Sequence, residues 1–163
     1  MATFDEHVKQ AQRNLQFLCS INANASVPDC IDWQVTVCFY AALRLINAHL
    51  SQFNLQYRSH ADAKNAINPR YAVSPSKLPE DEYIAYTALQ MLSRRSRYLV
   101  NEKDGQIGAS QAAYTYEKHL AKALHHLDRL IVYFKVKYSM NLPPVTVRCQ
   151  EVKTTNFIHI SFK

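Results

Sequence analysis

Two hydrophobic patterns run through the N-terminal third of the chain, and both predict helices. Near the start, apolar side chains recur at spacings of three and four, the period of one helix face. They are Phe4, Val8, Ala11, Leu15, Leu18 and Ile21. Thr3 with Glu6 forms a capping-box pattern, which marks where this helix begins. The segment from about 30 to 51 is instead apolar on nearly every side, so it predicts a central helix contacted by several neighbours.

A long polar connection, residues 52–79, follows these two helices. It contains Pro69, Pro75 and Pro79, and its sequence SHADAKNAI predicts only a short helix with Ser59 as the cap. Connections of this length are uncommon in compact domains and are often functional. We therefore expect part of the functional site to lie in this segment.

Two further helices are predicted after Pro79. The acidic sequence EDE suits the positive end of a helix, which we expect to run to about Val100. Another apolar stripe begins near Ser110 and continues to Tyr138, and it predicts the longest helix of the chain.

The C-terminal tail changes to a period of two, which is typical of β-strands. The alternating positions are Val145, Val147 and Cys149, then Ile158, Ile160 and Phe162. This pattern predicts a β-hairpin or an extended arm. The complete prediction is an all-α, four-helix up-and-down bundle over residues 1–143, with the hairpin or arm of residues 144–163 packed on the same domain.

Composition and charge narrow the classes of function. Only two glycines occur, Gly105 and Gly108, so no Gly-rich phosphate loop can be built. The net charge is +6, but residues 1–57 carry three basic and four acidic side chains whereas residues 58–163 carry sixteen and nine. A basic half of this kind fits an anionic partner such as nucleic acid or a lipid headgroup, or a charged surface without a partner.

Cysteine and histidine positions predict neither a metal nor a cofactor. The four cysteines form no C-x-x-C pair, and the histidines form no ligand cluster. Arg44, His49 and Lys135 interrupt the longest apolar runs, so no membrane span is expected. Since no signal-peptide pattern occurs at the N-terminus, we expect a cytoplasmic location.

The segment YTALQMLSRRSRYLV provides the first candidate site. Arg94, Arg97 and Tyr98 have the spacing i, i+3 and i+4, so they share one helix face. Arginine binds phosphate oxygens in a bidentate fork, which makes this face a candidate phosphate-binding edge. Alternatively, the arginines pair with carboxylates of the same chain. Candidate carboxylates are Asp32, Glu80 and Asp128.

The sequence RSHADAK in the long connection provides the second candidate. His60 and Lys64 are four residues apart and share a face if the short helix forms. The alternative is an ordinary solvated loop helix. A third basic face on the last helix is more typical of a solvated surface, and its alternative role is to line a groove for RNA or an acidic partner. It comprises His119, Lys122, His126, Arg129 and Tyr133.

Over residues 31–100, the sequences DWQVTVCFYAALRLINAHL, SHADAKNAI and YTALQMLSRRSRYLV together resemble small bacterial proteins of the HEPN-like helical-bundle superfamily. The resemblance implies a bundle of four or five helices that forms a homodimer. It also implies one of two activities: metal-independent RNA cleavage, including toxins that partner small nucleotidyltransferases, or binding alone. Among the residues of the matching region, it favours His60, Arg94, Arg97 and Tyr98 as a site.

The ribonucleases of that superfamily use an arginine followed after four to six residues by a histidine. Arg44 and His49 are the pair with this spacing here. On a regular helix, a separation of five residues places them about 140° apart. They also lie in the middle of the most apolar helix.

Three functional hypotheses follow. The first is a HEPN-like module that binds RNA or nucleotide phosphate through a basic cleft of His60, Lys64, Arg94, Arg97 and Tyr98. The second is a metal-independent, toxin-like ribonuclease using Arg44 and His49. The third is a non-catalytic subunit that binds another protein, for example a nucleotidyltransferase-like partner.

Overall fold

A computed structural model describes residues 1–24, 30–100, 112–153 and 156–163. In chain order, its elements are α1 (Phe4–Ala23), α2 (Ile31–Ser51), α3 (His60–Ala66), α4 (Glu80–Tyr98), α5 (Glu117–Tyr138), β1 (Val145–Val147) and β2 (Ile160–Phe162). The mostly helical class and the small C-terminal β element confirm the prediction in outline, whereas the up-and-down HEPN-like topology stays a prediction. None of the helices in these ranges has both the length and the apolar character needed to cross a membrane.

Helix α2 lies at the centre, as its pattern predicted. It packs against α1, α4 and α5, and its N-terminal half also approaches α3. Phe39, Leu45 and Ile46 are completely buried. Burying such a side chain stabilises the fold by roughly 1.5–3 kcal/mol, so the contacts around α2 supply much of the core.

Side-chain caps define the starts of α1 and α3 as the sequence predicted. The Thr3 backbone N–H donates to the Glu6 carboxylate at 2.7 Å, and the Glu6 N–H donates to the Thr3 hydroxyl at 3.2 Å. The Ser59 hydroxyl accepts from the N–H groups of Ala61 and Asp62 at 3.1 and 3.3 Å. Ser59 therefore places His60 in the first turn of α3.

The predicted start of the last helix was wrong. Ser110 lies outside the described residues, and α5 begins only at Glu117. Residues 112–116 have no regular secondary structure and run beside the end of α4, where the Ala113 N–H donates to the Leu99 carbonyl at 2.7 Å. The Arg95 Nε also donates to the Tyr114 carbonyl at 2.9 Å, so groups at the end of α4 bond two backbone groups of this segment without helical turns.

The predicted β-hairpin was also wrong, because β1 and β2 pair in parallel with Val145 opposite Ile160. Parallel pairing needs a long connection, and residues 148–159 provide it. The buried carboxylate of Asp128 on α5 accepts three backbone N–H bonds from residues 158–160, at 3.0, 2.8 and 2.7 Å. These charge-assisted bonds fix the direction of β2 against α5.

Candidate functional site

The predicted site residues of α3 and α4 come together around one cavity. His60, Arg94, Arg97 and Tyr98 line a volume of about 690 Å³. We call it the α3–α4 cleft, and its remaining lining residues are Ala61, Gln90 and Val100. Lys64, which the sequence grouped with His60, is half-buried one turn further along α3 and is not among the lining residues.

The end of α4 places the cationic and aromatic groups at the cleft. Leu99 takes the left-handed conformation with a φ of 56°, and its N–H caps the helix by donating to the Arg95 carbonyl at 2.9 Å. The helix therefore stops directly after Tyr98, which is 60% exposed. A helix C-terminus also favours nearby positive charge, which suits Arg97 in the last turn.

Aromatic rings hold the Arg97 guanidinium in place. Its central carbon lies 5.0 Å from the Tyr98 ring centroid and 5.9 Å from that of Tyr40 on α2. Its Nε donates to the Ser93 carbonyl at 3.4 Å. Within the described ranges, no carboxylate lies within ion-pair distance of Arg97. Stacking orders the guanidinium plane without neutralising its charge.

Two of the carboxylates expected to pair with these arginines have other partners. Glu80 forms an exposed ion pair with Arg70 at 3.0 Å. Asp128 binds the backbone before and at β2. The internal-pairing alternative therefore gains no support from these two acids.

His60 is half-buried at the edge of the cleft. Its ring centroid lies 5.5 Å from Phe39 and 6.5 Å from Tyr40. Burial lowers the pKa of His60, and the positive charges of Arg97 and Arg44 lower it further. His60 is therefore neutral near pH 7 while the cleft holds no anion, and a bound anion would favour its protonation.

The sequence did not identify Tyr40, nor the place of Arg44 near the cleft. Arg44 was expected to act with His49, but its charge affects His60 on one side and His7 on the other. Both Tyr40 and Arg44 lie on α2, one turn apart. Their spacing was the one sequence feature that could have grouped Tyr40 with Arg44. However, a helix that is apolar on nearly every side does not reveal which neighbouring element each residue faces.

His49 has a buried, structural environment that does not suit catalysis. Its Nε2 lies 2.9 Å from the Ser76 carbonyl, which can only accept, so Nε2 carries the proton. Its Nδ1 lies 2.5 Å from the Tyr138 hydroxyl, which therefore donates. Burial raises the pKa of Tyr138 to about 12, so this hydroxyl keeps its proton.

Burial also lowers the pKa of His49 to about 4, with Lys137 contributing, although the hydrogen bond to Ser76 acts in the opposite direction. The histidine is completely buried and both ring nitrogens are occupied. Neither nitrogen is available to move a substrate proton. The structure therefore gives the proposed Arg44–His49 pair no catalytic geometry.

The third basic face, on α5, is only partly a solvated surface. His119 is buried, and its Nδ1 accepts from the Tyr116 N–H at 2.9 Å. Arg129 forms ion pairs with Asp81 at 2.6 Å and Glu82 at 3.3 Å. Arg129 thus joins α5 to α4, and the His119 bond caps the start of α5, so the face offers fewer available cations than the sequence suggested.

A second cavity, of about 750 Å³, lies between α5 and the C-terminal segment. Its charged lining residues include Asp128 and Arg129, which already have partners within the protein. In the parts of the chain that the structure describes, no three histidine, cysteine or acidic side chains are grouped so that they could hold a metal ion.

Comparisons with protein-family models, with curated proteins and with solved structures found no match. The fold and the site therefore define the protein by themselves. It is a mostly helical protein with an open cleft in which arginine, histidine and tyrosine side chains converge.

Proposed function

We propose that this protein binds the phosphate groups of RNA or of a nucleotide in the α3–α4 cleft. The observation that carries the proposal is the convergence of His60, Arg94, Arg97 and Tyr98 on one cavity of about 690 Å³. The faces of the Arg97 guanidinium pack against tyrosine rings. This arrangement presents the edge of the guanidinium to phosphate oxygens, with which it forms bidentate hydrogen bonds.

The charge distribution supports an anionic ligand. Residues 58–163, which include α3 and α4, carry sixteen basic and nine acidic side chains. Arg44 adds its charge from α2 at a position close enough to lower the pKa of His60. Clustered positive charge of this kind attracts nucleic acid through its backbone and speeds association.

In this proposal the protein is a cytoplasmic, homodimeric, HEPN-like module that binds without cleaving. The region that resembles the superfamily, residues 31–100, contains α3 and α4, which line the cleft, and α2, whose Tyr40 contacts Arg97. No feature of the described residues favours the ribonuclease hypothesis, since His49 is enclosed. Binding to a protein such as a nucleotidyltransferase remains the alternative that the following experiment separates.

Fluorescence anisotropy with a labelled single-stranded RNA of roughly ten nucleotides tests the proposal at low ionic strength. We expect Arg97→Gln to weaken binding by about tenfold, because a charge-assisted phosphate contact is lost. Arg148→Gln is the matched control: it removes the same charge from an exposed position after β1, near α1. We expect this control to change the affinity by less than about twofold.

Absence of binding at low salt, or an equal loss in both variants, would contradict the proposal. Thermal unfolding of each variant completes the test. If Arg97→Gln lowers the melting temperature and the wild-type protein binds no RNA, Arg97 has a structural role, and the protein-interaction hypothesis becomes the better one.

A further inference from the structure

Four flat side chains follow one another from α3 to the end of α4. Three of them, His60, Arg97 and Tyr98, line the α3–α4 cleft, and the fourth, Tyr40, contacts His60 and Arg97 from α2. The ring centroids of His60 and Tyr40 lie 6.5 Å apart. The Arg97 guanidinium lies over Tyr40 at 5.9 Å and over Tyr98 at 5.0 Å. The row His60, Tyr40, Arg97 and Tyr98 thus begins at α3, passes through α2 and ends at the last residue of α4.

Tyr98 is the open end of this row. It is 60% exposed, and the two residues that follow it, Leu99 and Val100, are 43% and 41% exposed. The Arg97 guanidinium lies over the tyrosine ring, and α4 ends directly after Tyr98. A large aromatic ring that is ordered on one side and exposed to water on the other is suited to stacking with a flat ligand.

The size of the cleft is also informative. A volume of about 690 Å³ falls within the range of sites that hold whole small molecules. A phosphate group alone fills only a small part of it. The lining also includes Tyr98 and Val100, which are aromatic and apolar and offer little to a second phosphate.

We infer that the cleft recognises an unpaired nucleobase together with its phosphate, the base stacking on Tyr98 and the phosphate meeting Arg97. This inference rests on the proposed function and specifies its ligand class. Base stacking on tyrosine tolerates any base, because every base has a π-face. Bases in a duplex are already stacked on one another, so the cleft should prefer single strands.

The experiment compares ligands with the same phosphates and different bases. The probes are a single-stranded RNA, an abasic oligonucleotide of the same length, the corresponding duplex and a mononucleotide. For the wild-type protein we expect the single strand to bind about tenfold more tightly than the abasic chain. The mononucleotide distinguishes a free nucleotide from RNA as the ligand. If it binds as tightly as the single-stranded RNA, the ligand is a free nucleotide; if it binds more weakly, the ligand is RNA.

Variants of Tyr98 test whether stacking on this ring causes the difference in affinity between the single-stranded RNA and the abasic chain. Tyr98→Ala should weaken binding of the single strand by about tenfold and binding of the abasic chain much less, because the abasic chain loses only the packing of Tyr98 on Arg97. Tyr98→Phe, which keeps the ring, should restore binding. Tyr71→Ala is the control, because Tyr71 is 53% exposed and lines a different cavity. Since Tyr98 is exposed, its removal should change thermal stability little.

Three results would overturn the inference. If the abasic and intact chains bind equally and Arg97→Gln weakens both, the cleft binds phosphate without reading a base, and the proposed function stands. If Tyr98→Ala weakens both chains equally, Tyr98 acts by positioning Arg97. If no probe binds the wild-type protein at low salt, the proposed function and the inference fail together.

Discussion

His49 and His60 differ in what their surroundings leave available to a ligand. His49 is completely buried, and its two ring nitrogens contact Ser76 and Tyr138. His60 lies at the edge of an open cavity, against two aromatic rings and within reach of the charge of Arg97. Burial lowers the pKa of both histidines, but only His60 faces a space that an anion could enter.

The comparison shows why a lowered pKa alone does not identify a site. Around His49, every polar atom that the ring contacts is used to join α2 to α5 and to the 52–79 connection. Around His60, the described residues that line the cavity include Arg94 and Arg97 and no acidic side chain. A histidine beside open space and cationic groups is a candidate for ligand binding, whereas a histidine with both ring nitrogens bonded inside the core has a structural role.

Replacing His49 should produce the largest effect on stability. His49→Ala leaves the Ser76 carbonyl and the Tyr138 hydroxyl without their partner and opens a cavity in the core. We expect a loss of about 3 kcal/mol in the free energy of unfolding, measured by urea denaturation. His60→Ala is the matched control and should cost less than about 1 kcal/mol. Similar losses in the two variants would mean that both histidines are structural.

Acid should destabilise the protein through the same histidine. The pKa of His49 is about 4 in the folded state and near its ordinary value of 6.5 in the unfolded state. Between these values the unfolded chain binds a proton that the folded chain does not, so stability is complete above pH 6.5 and falls as the pH drops towards 4. The contribution of His49 is on the order of 3 kcal/mol.

His49→Gln separates this contribution from that of the other histidines. The glutamine amide keeps one donor and one acceptor but does not titrate in this range. Urea denaturation at several pH values should therefore give a shallower loss of stability for the variant. Part of the dependence should remain, because burial also lowers the pKa values of His119 and His126 to about 4. If the free energy of unfolding depends on pH equally in His49→Gln and in the wild-type protein, the pKa of His49 does not change on folding.

The sequence correctly predicted the local placement of those candidate-site residues that depend on one element. The spacing of Arg94, Arg97 and Tyr98 placed them on one face of a helix, and the Ser59 cap correctly placed His60 at the start of α3. Local patterns of this kind need only the helical period and the chemistry of helix ends.

Features that depend on two distant segments were missed or wrong. Tyr40 could not be assigned to the cleft, because α2 is buried on most sides and its pattern does not distinguish its neighbours. The parallel direction of β2 depends on Asp128, a residue of α5 that binds residues 158–160. Alternation along a strand indicates which side chains share a face and says nothing of its partner's direction.

Ligand affinity should depend on pH through His60. The pKa of His60 is lowered by burial, Arg97 and Arg44, and a bound phosphate should raise it again. Affinity for single-stranded RNA should therefore increase as the pH falls from neutral to mildly acidic, by roughly threefold. His60→Gln should remove this increase and keep the affinity at neutral pH. An increase that persists in the variant would assign the proton to another group.

The smallest expected effect tests where the cleft ends. Lys64 shares the short helix with His60 but is not among the lining residues of the cavity. The logarithm of the association constant for single-stranded RNA is plotted against the logarithm of the salt concentration. The magnitude of the slope should fall by about 0.7 in Arg97→Gln, because one phosphate contact is lost, and should stay unchanged in Lys64→Gln. The two variants remove the same charge, so the difference reports position. Equal slopes would extend the binding surface along α3 and restore the grouping that the sequence suggested.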